Sequence, residues 1–368
     1  MKSLSIGIDI DEDCAQICYY DEEKDRVESV SYIKGESRFA IPYLPEEKEQ
    51  EDFSLLFRRL IRLLKDTVGS FEIDRLGIAI EKKDAKMLDK LGKTLANLEI
   101  SPKKVDIVNY DESFIYYAIN DMTSYINGDA VLINYDGTYI NLKRITILRS
   151  KHPYSVLVDS YIKEMPDDEE AFDRRLHNIL NEAHTAKMIS TLYITGEEFS
   201  LAEVKRMLAK DGGIKHAYIG KNLYAQGACF SVLEREHINY DDFRILSEDR
   251  TVLDVSVLID HNGKNTRLLL SKAGTNWQAA GTQIQCLLDD INIINFVIVS
   301  ASTGQTTNYS ISLESFPKRK NKTTKVEITL LYTQKNRLEI SVRDLGFGDF
   351  FKSSGKVIKD VLPVDNYI

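Results

Sequence analysis

Ser5-Ile6-Gly7-Ile8-Asp9-Ile10-Asp11-Glu12-Asp13 runs from an apolar strand pattern into an acidic cluster, and Cys14 to Tyr20 follows as a second apolar run. The stretch reads as strand, acidic turn, strand. Where such an opening hairpin cradles a nucleotide, small residues and hydroxyls present N–H groups and side chains to phosphate. Carboxylates in that place either hold a divalent cation or repel the phosphates, because unit charges a few ångströms apart exchange on the order of a few kcal/mol near a protein surface. The expectation is a nucleotide-clasping fold whose nucleotide site is altered or lost.

Working outward, residues 3–10, 14–20 and 27–34 form a predicted three-stranded meander. Asp52 then caps an amphipathic run with Phe53, Leu56, Phe57, Leu60, Ile61, Leu63 and Leu64 on its apolar positions, ended by Gly69. A buried strand over Leu76–Ile80, a helix near 84–97, a strand over 104–109 and a helix over 112–126 complete the order β-β-β-α-β-α-β-α. At Gly128 the plan restarts. Ala130–Asn134, Tyr139–Leu148 and Tyr154–Tyr161 read as strands, and a helix follows from about Asp168 to Met188. Strand 191–194, helix 200–210, strand 214–219 and helix 222–236 close the second copy. Two halves of similar length with one strand order predict a duplicated α/β fold.

From about Asp249 the helical periodicity vanishes, and short strands run from Val252 to Asp344 between turns such as Asn262-Gly263, Gly274-Thr275-Asn276 and Lys335-Asn336. An all-β sandwich is expected there. A length of 368 residues fits two or three domains, and the boundaries read as 1–127, 128–240 and 250–355.

Composition excludes several function classes. No apolar segment approaches the roughly 20 residues of a membrane helix, and the first apolar run carries Asp9, unlike a secretory leader. A cytoplasmic location with no membrane partner is the expectation. A net charge of −9 argues against a nucleic-acid surface, and the short run Lys318–Lys322 after Pro317 suits a solvated loop. Cys14, Cys18, Cys229 and Cys286 make neither a zinc pattern nor a disulfide framework. The six histidines lack metal spacing, and no Ser-His-Asp or Cys-His nucleophile arrangement can be argued.

Ile6-Gly7-Ile8-Asp9 resembles the first phosphate motif of the actin-like ATPase superfamily, which includes sugar kinases and the DnaK-type heat-shock chaperones. Leu132-Ile133-Asn134-Tyr135-Asp136-Gly137-Thr138 resembles the second phosphate motif, and Leu192-Tyr193-Ile194-Thr195-Gly196-Glu197 the adenosine motif. Ala225-Gln226-Gly227-Ala228-Cys229 resembles the small-residue helix that ends the chaperone nucleotide domain. The β-region resembles the chaperone peptide-binding sandwich: Thr251–Val255 its apolar linker, and Leu269–Thr275 a strand and loop beside the peptide groove. The resemblance implies two ribonuclease-H-like halves followed by a peptide-binding sandwich. It implies ATP or ADP with Mg as cofactor, held by Gly7, Asp9, Asp11, Asp136, Gly137, Thr138, Gly196 and Glu197, with Asp9 and Asp136 as the metal pair and the catalytic candidates. It implies peptide contacts from Leu269, Ser271, Ala273, Gly274 and Thr275.

The departures bear on activity. The loop after Asp9 lacks the family's Gly-Thr-Thr, only Asp136-Gly137-Thr138 of a longer glycine run remains, Glu197-Glu198 replaces a glycine and a small polar residue, and the short tail after the sandwich carries the expectation of no helical lid. Asp9 is therefore either a cation ligand or a strand-end carboxylate satisfied locally, and Trp277 either a core anchor or part of a groove wall. The expected function is a DnaK-like pseudo-chaperone that binds a protein or peptide partner with weak or absent nucleotide turnover. The alternative is a slow metal-dependent ATPase.

Overall fold

The computed structural model describes residues 2–33, 38–121, 129–135, 137–186, 189–195, 216–219, 222–233, 242–261, 263–289 and 292–367. The chain divides into two compact units, Met1–Thr146 with Val158–Asn239, and Ile147–Leu157 with Tyr240–Ile368.

The first unit opens with β1 (Lys2–Ile10), β2 (Cys14–Asp21), β3 (Arg26–Ser29), β4 (Ile41–Pro42), α1 (Pro45–Lys48), α2 (Ser54–Val68), β5 (Phe71–Ile80), α3 (Ala85–Asn97), β6 (Val105–Asn109) and α4 (Tyr110–Asp121). Strand order is β3-β2-β1-β5-β6, with β4 paired to β2. The meander is antiparallel and β5 and β6 run parallel to β1, as the alternation with helices dictates. The third strand is shorter than expected: it ends at Ser29, and Ser31 instead spends its hydroxyl on the carbonyls of Ile33 and Arg38. Helix α2 starts where Asp52 accepts from the Ser54 N–H at 2.7 Å. It stops at Gly69, whose φ of 84° suits a residue without Cβ. Its buried Leu56, Phe57, Leu60 and Leu64 join Leu91 and Leu95 of α3 and the strand residues Ile6, Ile8 and Ile78 in one core.

The second half supplies β7 (Asp129–Tyr135), β8 (Tyr139–Leu148), β9 (Tyr154–Glu164), α5 (Glu169–Ala186), β10 (Ile189–Thr195), β11 (His216–Ile219) and α6 (Leu223–Ser231). Its order, β11-β10-β7-β8-β9, repeats that of the first sheet, with β8 antiparallel to β7 and with β10 and β11 parallel. The duplication expected from the sequence is thus present over five strands of each half, while β4 has no counterpart among the described residues. A further strand, β12 (Phe243–Leu246), pairs in parallel with Tyr154–Leu157, and both segments belong to the second unit.

Helix α6 lies on the first sheet through bare backbone. Gly7 and Gly77 face each other across β1 and β5. A Cβ on Gly7 would fall 2.0 Å from the Ala225 carbonyl oxygen, and one on Gly77 1.8 Å from that of Ala228. Gly227 of the helix meets Ser113 of α4 in the same way, at 2.0 Å. The small residues 225–229 are therefore a packing device, and Cys18 and Cys229 are buried in the same seam as free thiols.

The second unit is a sandwich. It contains β13 (Leu253–His261), β14 (Lys264–Ser271), β15 (Thr282–Leu287), β16 (Ile293–Ser300), β17 (Thr306–Ser312), β18 (Lys325–Gln334), β19 (Arg337–Gly346) and β20 (Val357–Pro363). The sheets are β14-β13-β16-β17 and β15-β18-β19-β20, antiparallel throughout. Phe296, Leu330 and Ile340 lie in the core between them. The second sheet continues past Gly355, the expected end of the domain, because β20 completes it along β19. Residues 251–255 are not a free linker: Leu253 already begins β13, and Thr251 is buried. Among the described residues no helix is long and apolar enough to cross a membrane.

Candidate functional site

In open α/β sheets ligands bind beyond the carboxyl ends of the strands, where the order reverses. In the first unit that place is formed by the ends of β1, β5 and β6. Asp9 sits one residue before the end of β1 and is only 4% exposed. Its Oδ1 has no hydrogen-bond partner, and neither does Oε1 of Gln16, its register neighbour on β2. Burial, reinforced by the charge of Asp11 and only partly offset by a hydrogen bond from Tyr110, pushes the Asp9 carboxyl up to about 8. The Tyr110 ring stacks on Tyr224 of α6 with centroids 4.0 Å apart and planes 4° off parallel. Tyr43 donates its hydroxyl to the Asp11 carbonyl at 2.7 Å. Burial and the neighbouring carboxylates raise all three phenols above their ordinary range.

Two ion pairs flank this centre. After β5 comes Lys83, which meets the fully buried Glu112 at 2.6 Å. After β6, Asn109 caps α4 by accepting from the Glu112 N–H at 2.9 Å, and Asp111 pairs with Lys143 of β8. None of Lys83, Tyr110, Asp111, Glu112, Lys143 or Tyr224 stands in a motif that singles it out in the sequence. The only available signal was position, directly after predicted parallel strands.

A triphosphate does not fit the first hairpin as built. The Asp11 N–H is bonded to the Cys14 carbonyl at 3.0 Å and the Glu12 N–H to the Asp11 carboxylate at 2.8 Å, so those donors are spent within the turn. Gly7, a candidate for close phosphate approach, is covered by α6. Asp11 is exposed on the turn. In the second hairpin Gly137 has φ 97° and accepts from the Tyr135 hydroxyl at 2.8 Å, while the Thr138 carbonyl accepts from the Met165 N–H at 2.8 Å. Asp136, Gly196 and Glu197 lie outside the described residues. Among the described residues no group of three His, Cys, Asp or Glu side chains could hold a metal ion. Among the described residues, the orphan oxygens of Asp9 and Gln16 are the features of the crevice that suit a cation.

The sandwich corrects the expected peptide contacts. Ser271 and Ala273 are buried. The Ala273 N–H donates to Asp254 at 2.8 Å, the Gly274 N–H to the Thr251 carbonyl at 2.7 Å, and the Thr251 N–H to the Thr275 carbonyl at 2.8 Å. This turn clamps the start of β13 and spends the Ala273 and Gly274 N–H groups within the domain. Gly274 and Thr275 are half-buried, and Leu269, about half exposed on β14, keeps the largest free surface of the five. The open groove lies beside it, a space of about 610 Å3 lined by Leu258, Leu268, Ile284, Cys286, Leu287 and Ile293. Strands β14 and β15 flank it, and each is the terminal strand of its sheet. They are joined at one end by the Thr282 hydroxyl, which donates to the Leu270 carbonyl at 2.5 Å. The run Leu268-Leu269-Leu270, too apolar for a strand with one solvated face, was the sequence signal for this groove. Trp277 packs against the sandwich core, which decides its role as an anchor.

Sequence comparison places this architecture. Residues 43–248, more than half of the chain, match the family described as "Family of unknown function (DUF5716) C-terminal", and the chain belongs to that family. Residues 250–364 match a second description, "Domain of unknown function (DUF8552)", which covers the sandwich. No curated protein matches the sequence. Similar solved structures include an inorganic polyphosphate/ATP-glucomannokinase from Arthrobacter sp. strain KM, at 12% identity and TM-score 0.41, covering 63% of this chain and 98% of that one. A Bacteroides thetaiotaomicron protein with actin-like ATPase fold and unknown function is similar at 12% identity and TM-score 0.33, covering 62% and 95%. A ROK family glucokinase from Streptomyces griseus, in complex with glucose and AMPPNP, is similar at 12% identity and TM-score 0.38, covering 61% and 98%. The duplicated strand order described above, not these distant likenesses, defines the fold.

Proposed function

We propose that this chain is a binding protein of DnaK-like plan, which takes an extended apolar protein segment along the open edge of its sandwich. Its duplicated α/β unit, of actin-like ATPase type, has little or no nucleotide turnover. The observation that carries the reading is the apolar groove flanked by two unpaired strand edges. An edge offers a row of N–H and C=O groups for strand addition, and alternate side chains of the added strand would drop between Leu268, Ile284 and Leu287.

Fluorescence anisotropy with labelled extended apolar peptides tests this directly. Leu268→Asp and Leu287→Asp place a charge where apolar contact is needed, and each should weaken binding about tenfold or more, equivalent to about 1.4 kcal/mol. Trp277 emission checks that the sandwich stays folded. Affinity unchanged in both folded variants defeats the proposal.

A metal-dependent ATPase is the second reading, favoured by the orphan Asp9 oxygen. Calorimetric titration with ATP and magnesium, repeated with Asp9→Ala and Asp136→Ala, separates the two. Tight binding lost in both variants would establish a nucleotide site, and no heat at millimolar ATP removes this reading.

A further inference from the structure

The second unit contains a polar cavity that neither the groove nor the crevice accounts for. It measures about 50 Å3, several times the roughly 10–15 Å3 that one water needs. That is room for one compact polyatomic group. Its walls come from the residues before β9, from Arg244 on β12 and from the turn between β16 and β17.

Arg244 supplies the central observation. One arm of its guanidinium holds Asp254 at 2.8 Å, while Nε–H is buried with no acceptor. An unmet N–H on a charged group costs on the order of 1–3 kcal/mol, so an oxygen brought to Nε by a small shift of the lining recovers that cost. Lys151, also on the wall, makes no ion pair among the described residues. Asp254 is the one acid of the lining, and both its oxygens are already engaged, one by Arg244 and the other by the Ala273 N–H. Arg244, Lys151 and Asp254 leave the lining one positive charge in excess. The Ser300 and Ser302 hydroxyls, 3.0 Å apart, add rotatable donors at the same mouth.

The geometry points to an oxyanion site: a phosphate-sized tetrahedral anion, free or as the head of a phosphomonoester, received by Arg244 Nε, Lys151 and the serine hydroxyls. A forked cation, a mobile cation and hydroxyl donors around a compact space are the chemistry that recognises such a group.

Phosphorus NMR of the full chain with inorganic phosphate, at ionic strength held constant with chloride, is the test. Line broadening that saturates is expected, and Lys151→Glu should weaken it at least tenfold. Lys151 is exposed, so this variant keeps the fold. Arg244→Gln should abolish the signal, with Trp277 emission confirming an intact sandwich. Repeating the titration with O-phosphoserine identifies the source, since tighter binding of the ester marks a modified side chain and equal binding the free ion. No saturable broadening in the parent protein, or equal broadening in Lys151→Glu, overturns the assignment.

Discussion

Asp344 and Arg319 should carry more of the sandwich's stability than any other polar pair in that unit. Asp344 is fully buried, and Arg319 grips it with two bonds of 2.7 and 2.8 Å. The Gly346 and Ser354 N–H groups add one bond each at 2.9 Å. Removing one partner of such a pair costs about 3–5 kcal/mol, because the other charge stays buried. Arg319→Met leaves Asp344 its backbone donors and belongs near 3 kcal/mol on that scale. Asp344→Asn belongs near 5 kcal/mol, since the guanidinium keeps the Lys352 carbonyl at 2.9 Å and a long bond of 3.5 Å to the Thr324 hydroxyl but loses its counter-charge, and the new amide N–H turns toward other donors. Urea unfolding followed by Trp277, the only tryptophan, reads this unit alone. At an m-value of about 2 kcal/mol/M the midpoints should fall by roughly 1.5 and 2.5 M. The double variant should cost less than the sum by about 0.5–3 kcal/mol. Arg319, followed by the Ser354 and Gly346 donors, holds the Asp344 carboxyl well below the usual carboxylate range against the opposing effect of burial. A depressed folded value means the stabilisation is present above about pH 4 and drains away as pH falls below it. Costs under about 1 kcal/mol in both single variants, or strict additivity in the double, would refute the reasoning.

Asp9 has the opposite sign. Its folded value is raised from 3.8 to about 8, so stability is full below pH 4 and declines as pH rises toward 8. Asp9→Asn should remove that slope and stabilise the first unit at pH 7 by a few kcal/mol, read as a calorimetric melting profile across pH. Gly77→Ala forces a methyl against the Ala228 carbonyl and should destabilise the first unit by at least about 1–3 kcal/mol. Gly92→Ala, in the middle of α3 with nothing near its Cβ, should instead stabilise by about 0.5–1 kcal/mol, and the two thermal melts together test the seam.

What the sequence disclosed was whatever repeats with a period. The apolar runs of β1, β2 and β7 and the stripe of α2 announced themselves, and so did the restart at Gly128. The early part of β5 did not, because Glu72, Asp74 and Arg75 break the apolar run although the backbone already pairs with β1. β20 escaped for a similar reason, its outward Lys359 and Val361 giving no clean alternation beyond Gly355. At the crevice Asp9 was legible from its motif. The surroundings that set its chemistry, Tyr110, Tyr224 and the Lys83–Glu112 pair, come together only through tertiary folding. Gly7 could be read as a phosphate glycine or a packing glycine, and only the approach of α6 decides between them.

That approach also has a consequence for biosynthesis. The face of the first sheet around Gly7 and Gly77 receives its cover from residues 223–231. A nascent chain that has completed β5 must add some 150 residues first, about 8–30 s of synthesis at roughly 5–20 residues per second. During that interval an apolar sheet face stands open on the ribosome. The opening half is thus a client of a helix that the second half supplies, and a chain interrupted between the two would present the surface that general chaperones and quality-control proteases recognise.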